Sequence, residues 1–450
     1  MGAAELIDLY RRRELSPVEV TNAVLRRAFE INTWHNAFVY IDYDRARDAA
    51  KASEARWRKG EPVGPIDGVT ATIKDLVSVQ DWHWRMGSRT TSDAIVENDA
   101  PTVAALRKAG AILIGSTTTC EFGWKGVADS PLTGVTSNPW NKELTPGGSS
   151  GGAAVAALTG AGVLHLGSDA GGSIRIPASF TGVFGHKPSF GRVPYFPPSA
   201  FGPVAHLGPI ARTADDAALM LDIMSVREIR DWYQNPLPFS STRPPFEGFS
   251  WKDLRIGVWS EPPVGRVVPE ISAGLESAAR DIESFGARIE PIALPGEDLL
   301  GTFNTIWFAG AANRVRKIPS ERRAEVDPGL LEIAEIGATY SAIDYAEALG
   351  RRAVFGAAMD QLLAEYDLLI SPATPIPAFQ AGHNVPPDSG FRHWTEWASF
   401  NFPVNLSQQP ACSLPMGFTS DGLPMGLQLV GPKAGDALVL RAAADLTRRR

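Results

Sequence analysis

The stretch GVTATIKDLVSV, residues 68–79, decides how the chain folds. Val69, Ala71 and Ile73 alternate with Thr70 and Thr72, the two-residue period of a strand. Residues 102–110 follow as a helix ending on Gly110, where a C-cap glycine belongs. AILIG, residues 111–115, is a second apolar run of strand type. Strand, helix, strand in that order predicts a right-handed crossover and an α/β sheet.

The same signals extend in both directions. Ser16, Pro17 and Glu19 form a capping box with proline in the first turn, and Leu15 and Val20 are spaced as a hydrophobic staple. Thr213 caps a helix running to Met224. LRIGVWS (254–260), a helix near 269–284 and ARIEPIAL (287–294) make a second strand-helix-strand unit. Later strands are expected in 368–378 and 423–431, and a closing helix in 434–447. The Ala- and Gly-rich apolar run 153–167 reads as a buried core helix, too short for a membrane span. Residues 235–249, rich in Pro, Ser and Thr, read as an exposed excursion. Neither half carries a complete strand-helix series, so one domain over 1–450 is expected, with a core over about 65–225.

Composition narrows the function. The chain has 450 residues, net charge −7, 44% hydrophobic and 21% charged residues. No basic stripe marks a nucleic-acid partner. Cys120 and Cys412 are isolated, so free thiols are expected rather than a disulfide. No paired Cys/His spacing supports a metal site. The N-terminus lacks the apolar stretch of a signal peptide, and Leu6 stands where a myristoylation pattern needs Ser or Thr. A cytoplasmic enzyme is the expectation.

Two Gly-Ser segments carry the chemistry. TPGGSSGG (145–152) is either a flexible linker or part of a reaction centre. In GSDAGGSIRIPASF (167–180), Gly171 and Gly172 precede Ser173, as a tight turn or as an oxyanion hole built from backbone N–H groups. A serine nucleophile needs a base. His165, His186 and His206 lie nearby in sequence, without a nucleophile-elbow context. Lys74 ends an apolar strand; it serves as a base if burial lowers its pKa, or else snorkels to solvent or pairs with Asp75.

IKD (73–75), TPGGSSGG and residues 167–194 together resemble the amidase signature hydrolases, as do segments 121–141 and 400–432. The intervals of 75 residues from Lys74 to Ser149 and 24 from Ser149 to Ser173 agree with that family. The resemblance runs nearly end to end. It implies the amidase signature fold: a central mixed, twisted β-sheet covered by helices on both faces. It implies Ser173 as nucleophile, Ser149 as a relay after a cis peptide, and Lys74 as base. It implies an oxyanion hole from the N–H groups of Ala170, Gly171, Gly172 and Ser173. Ser150, Asp169 and Arg175 would support these groups, and no cofactor is required.

The resemblance further implies that the backbone at Gly123 and Trp124 lines the substrate channel. Arg192 contacts substrate or serves the structure. Tyr195–His206 and Phe391–Phe402, with Trp394 and Trp397, border an apolar pocket or are ordinary loop packing. Cys120 stands where relatives often carry proline, with no adjacent base to activate it. The expected substrate is a small-molecule amide, hydrophobic or aryl, with carbamate (urethane) and ester cleavage as extensions. Membrane and nucleic acid are not expected partners, and a homodimer is left open. The alternative is an amidotransferase component working inside a complex.

Overall fold

The computed structural model describes residues 1–234, 239–244, 246 and 248–450. The strands are β1 (Phe38–Ile41), β2 (Thr70–Lys74), β3 (Ile112–Thr117), β4 (Asp129–Ser130), β5 (Gly134–Val135), β6 (Leu164–Asp169) and β7 (Phe184–Lys187). They continue as β8 (His206–Ala211), β9 (Arg255–Val258), β10 (Arg288–Pro291), β11 (Leu368–Pro372), β12 (Ala411–Phe418) and β13 (Pro424–Val430). Eleven of them form one sheet in the order β1-β3-β2-β6-β8-β7-β12-β13-β11-β9-β10, while β4 and β5 pair as a separate ribbon. The sheet is mixed: β2 runs parallel to β3 and β6, β8 is antiparallel to β6, and β9 is parallel to β10 and β11.

Side-chain alternation explains why helices cover both faces. Val69, Ala71 and Ile73 enter a core shared with the helices Ala214–Met224, Pro269–Ser284 and Asp436–Arg449. Ile112 and Ile114 point the other way, into a core with Pro17–His35 and Gly151–Thr159. The capping box is present: Glu19 N–H donates to Ser16 Oγ (3.2 Å) and Ser16 N–H to Glu19 Oε2 (2.9 Å). Such a cap contributes about 1 kcal/mol. Among the described residues no helix is long and apolar enough to cross a membrane.

Two expectations are corrected. The run 153–167 is not one helix: the helix ends at Thr159, and strand β6 begins at Leu164. Gly160, at φ +77°, closes the helix, a conformation that L side chains rarely adopt. The Pro-rich excursion falls partly outside the described residues, at 235–238, 245 and 247. Its described part is not simply exposed, since Thr242 is buried and donates to the Ala218 carbonyl (3.0 Å).

The turn into Gly151–Thr159 packs backbone against backbone. A Cβ on Gly152 would lie 2.4 Å from the Ala37 carbonyl oxygen and 2.4 Å from Thr118 Oγ1. Gly152→Ala is therefore expected to destabilise by about 1–3 kcal/mol. Gly350, inside the helix Ala342–Glu365, should do the opposite, because among the described residues nothing lies within 4 Å of an added Cβ. Gly350→Ala is expected to stabilise by about 0.5–1 kcal/mol. Denaturation midpoints of the two variants check both signs.

Candidate active site

Lys74 is the last residue of β2 and is fully buried. Its Nζ lies 2.7 Å from Ser149 Oγ and 2.9 Å from the Oγ atoms of both Ser150 and Ser168. Among the described residues no carboxylate hydrogen-bonds it. Burial lowers its pKa to about 7, against the opposing fields of Cys120 and Asp169. Snorkelling and pairing with Asp75 are thereby overturned: Asp75 turns to the N–H groups of Gly87 (2.8 Å) and Arg85 (3.2 Å). The sequence does not single out Ser168, although it sits just before Asp169 in the second Gly-Ser segment.

Ser149 and Ser150 lie in the turn before Gly151–Thr159, and the Gly148–Ser149 peptide is cis. The Ser150 hydroxyl donates to the Ser168 carbonyl (3.1 Å) and accepts the Ser168 N–H (3.2 Å). Its own N–H donates to the Ser173 carbonyl (3.2 Å), tying the two Gly-Ser segments together. Ser173, 5% exposed, lies between β6 and the helix Arg175–Thr181.

A buried ion pair braces this turn. Asp169 accepts Arg175 Nε at 3.0 Å and Nη2 at 2.9 Å, and neither side chain is exposed. The carboxylate also accepts the N–H groups of Gly172 (2.8 Å) and Ile174 (3.2 Å), and Asn405 Nδ2 (2.9 Å). Against burial, which raises it, the Arg175 charge and hydrogen bonds, the Lys187 charge and the Asn405 bond hold the Asp169 carboxyl below the usual carboxylate range. Arg175 reaches on to Gln428 Oε1 (2.7 Å) and Asn405 Oδ1 (2.6 Å). One expected oxyanion donor is removed by this brace, because the Gly172 N–H is committed to Asp169. The N–H groups of Ala170, Gly171 and Ser173 make no hydrogen bond among the described residues.

The walls are a peptide turn and an aromatic stack. A Cβ on Gly123 would lie 3.4 Å from Ser149 Oγ, which puts this backbone beside the serine. The Trp124 carbonyl accepts Trp307 Nε1 (3.0 Å), while its ring packs against Gly329. A Cβ on Gly171 would meet Trp394 at 2.6 Å and Phe303 at 2.9 Å. Phe303 stacks on Trp307 (5.3 Å), and Trp307 on Phe201 (3.7 Å). The segment Phe391–Phe402 thus reaches the glycine turn through Trp394, while Phe201 of the other segment packs on Trp307 and Trp397 stacks on Phe180.

Arg192 is not brought to the site. Its Nε donates to Ser225 Oγ (2.9 Å), its Nη2 to the Ser240 carbonyl (2.9 Å), and its Nη1 lies 3.4 Å from Asp436 Oδ2. The buried guanidinium ties these chain segments together. The histidines are engaged elsewhere: His165 with Thr72 (2.8 Å), His186 with Asp436 (3.1 Å) and His206 with the Val204 carbonyl (2.9 Å). Burial pushes the Cys120 thiol up to about 11, so it is not a thiolate at neutral pH.

Comparison with known proteins shows the family. The amidase family model matches residues 19–440, and the chain belongs to that family. It is 35% identical to an acylamidase of Rhodococcus erythropolis, over 99% of this chain and 94% of the relative. It is 32% identical to a component of the glutamyl-tRNA(Gln) amidotransferase of Moorella thermoacetica, over 98% of this chain and 95% of that one. Its structure is similar to that of a bacterial aryl acylamidase of the amidase signature family, with a TM-score of 0.90, 27% identity, and coverage of 100% of this chain and 96% of the other. The protein is an amide-hydrolysing enzyme with the mixed sheet and helical layers of the amidase signature fold.

Arg175→Met leaves the Asp169 carboxylate buried without its cation. The expected loss of stability is about 3–5 kcal/mol, read from the denaturation midpoint.

Proposed function

We propose that Lys74, Ser149 and Ser173 act as base, relay and nucleophile of an acyl-enzyme amidase. The observation that carries this reading is the setting of Lys74, a buried amine whose partners are three hydroxyls. A neutral lysine has two N–H groups and one lone pair. The Ser150 proton is spent on the Ser168 carbonyl, so Ser150 accepts from Lys74. With a second N–H on Ser168, the lone pair faces the Ser149 hydroxyl.

Ser173 Oγ attacks the amide carbonyl. Its proton passes to Ser149 as the Ser149 proton passes to Lys74. The oxyanion accepts from the N–H groups of Ala170, Gly171 and Ser173, a kind of donor whose loss costs about 10²–10³ in rate. As the C–N bond breaks, the proton returns along the relay to the leaving nitrogen. Water then attacks the ester by the same route. The Phe303, Trp307 and Trp394 rings beside Gly171 favour hydrophobic or aryl groups. A carbamate carbonyl fits the same nucleophile and donors, which extends the reading to urethanes and esters.

A second reading is supported by the amidotransferase relatives, in which the same centre would release ammonia from glutamine for a partner. Glutamine-dependent ammonia release that needs a co-purifying protein would establish it.

Turnover of an aryl anilide tests the first reading. Lys74→Ala, Ser149→Ala and Ser173→Ala should each lose at least about 10²–10⁴-fold. Near-normal turnover by Ser173→Ala would overturn the assignment. Because the base acts deprotonated, kcat/KM should climb as pH rises through about 7 and level off above it. Lys74→Arg, which stays protonated, should be inactive at every pH.

A further inference from the structure

Arg314 is a cation that the catalytic reading leaves unused. It belongs to the helix Leu299–Val315, four and eleven residues on from Phe303 being Trp307 and Arg314, so the three share one face. Phe303 abuts Gly171, Trp307 donates to the Trp124 carbonyl, and the Arg314 guanidinium lies 3.9 Å from the centroid of the Phe122 ring. This face of the helix therefore follows the wall beside Ser149 and Ser173, with Arg314 at its far end.

Among the described residues the guanidinium has no oxygen acceptor of its own. Nε is buried without a partner, and Nη2 has only the Met86 thioether, at 3.9 Å. Among the described residues Arg314 makes no ion pair. Glu121, whose field reaches it, is already committed: Oε1 accepts Ser88 Oγ (2.5 Å) and Oε2 accepts the Asp327 N–H (2.6 Å). An arginine stays charged in proteins, and a desolvated charge with no partner is costly. The Nε–Nη2 edge is one that a carboxylate grips with two parallel bonds. Met86 is flexible enough to yield that edge.

The segment that follows Arg314 in sequence is rich in cations. Residues 314–323, RVRKIPSERR, hold Arg314, Arg316, Lys317, Arg322 and Arg323 against the single acid Glu321, in a chain of net charge −7. Of these cations, Arg322 is paired with Glu325 (2.8 Å). A cationic segment on an acidic protein draws anions toward it.

We propose that Arg314 seats a carboxylate of the substrate, so that the preferred amides carry an anionic group several bonds away from the scissile carbonyl. This rests on the hydrolase reading above and adds its substrate class. Two pairs of probes locate the anion: adipic acid mono-anilide against hexanoic anilide for the acyl half, and 6-(hexanoylamino)hexanoate against N-hexyl hexanamide for the leaving half. In at least one pair the wild type should favour the carboxylate by tenfold or more in kcat/KM, chiefly through KM. Arg314→Gln should collapse that ratio toward one, and Arg314→Lys should restore part of it. A wild-type ratio near or below one in both pairs, or a ratio unchanged in Arg314→Gln, overturns the proposal. Because each variant is judged by its own ratio, a general loss of folding does not imitate the result. Turnover of the neutral probes by the wild type tests the hydrolase reading separately.

Discussion

The buried pair of Asp169 and Arg175 is the constraint on which the site depends. A carboxylate and a guanidinium with no exposure must satisfy each other and nearly every remaining lone pair and proton. They do so by recruiting the turn that carries Ser173, through Gly172 and Ile174, and the C-terminal segment, through Asn405 and Gln428. The ion pair thus converts a glycine-rich turn, flexible by composition, into a fixed array of N–H groups. Its contribution lies in geometry rather than in net stabilisation, since the desolvation of both charges offsets much of their attraction.

Two buried lysines show how partners decide a role. Lys187 donates to the carbonyls of Pro188 and Gln409 and faces His206 Nε2 (3.4 Å). A carbonyl has no proton to give, so the Lys187 contacts with Pro188 and Gln409 brace but do not relay. Lys74 is surrounded by hydroxyls, which both give and take protons. Burial lowers the pKa of both amines. What separates them is the chemistry of the atoms they bond, which also distinguishes Ser149 from the adjacent Ser150.

Much of this is legible in the sequence, and the rest is hidden for physical reasons. The β2 face, the Ser16 capping box and the spacing of Lys74, Ser149 and Ser173 are local or pattern signals, and a single sequence carries them. The run 153–167 misleads because Ala and Gly suit a buried helix and a buried strand alike; the break at Gly160 separates the two. Strands β1 and β7 have four residues each and take their identity from neighbours elsewhere in the chain. Arg192 resembles a substrate contact because it follows the second Gly-Ser segment, yet the fold carries it to Asp436 instead. Ser168 and the commitment of the Gly172 N–H are consequences of three-dimensional placement, with no composition signal of their own.

The long reach of Arg175 has a bearing on the enzyme's synthesis. Its anchors Asn405 and Gln428 follow it by 230 and 253 residues. A ribosome adding roughly 5–20 residues per second takes on the order of tens of seconds to cover that interval. Throughout it, the nascent chain already holds Lys74, Ser149 and Ser173, but the turn bearing Ser173 lacks its far supports. Hydrolytic competence therefore arrives late, when the last strands emerge. A truncated product ending before residue 428 would carry Lys74, Ser149 and Ser173 and still lack the Gln428 support of the turn beside them.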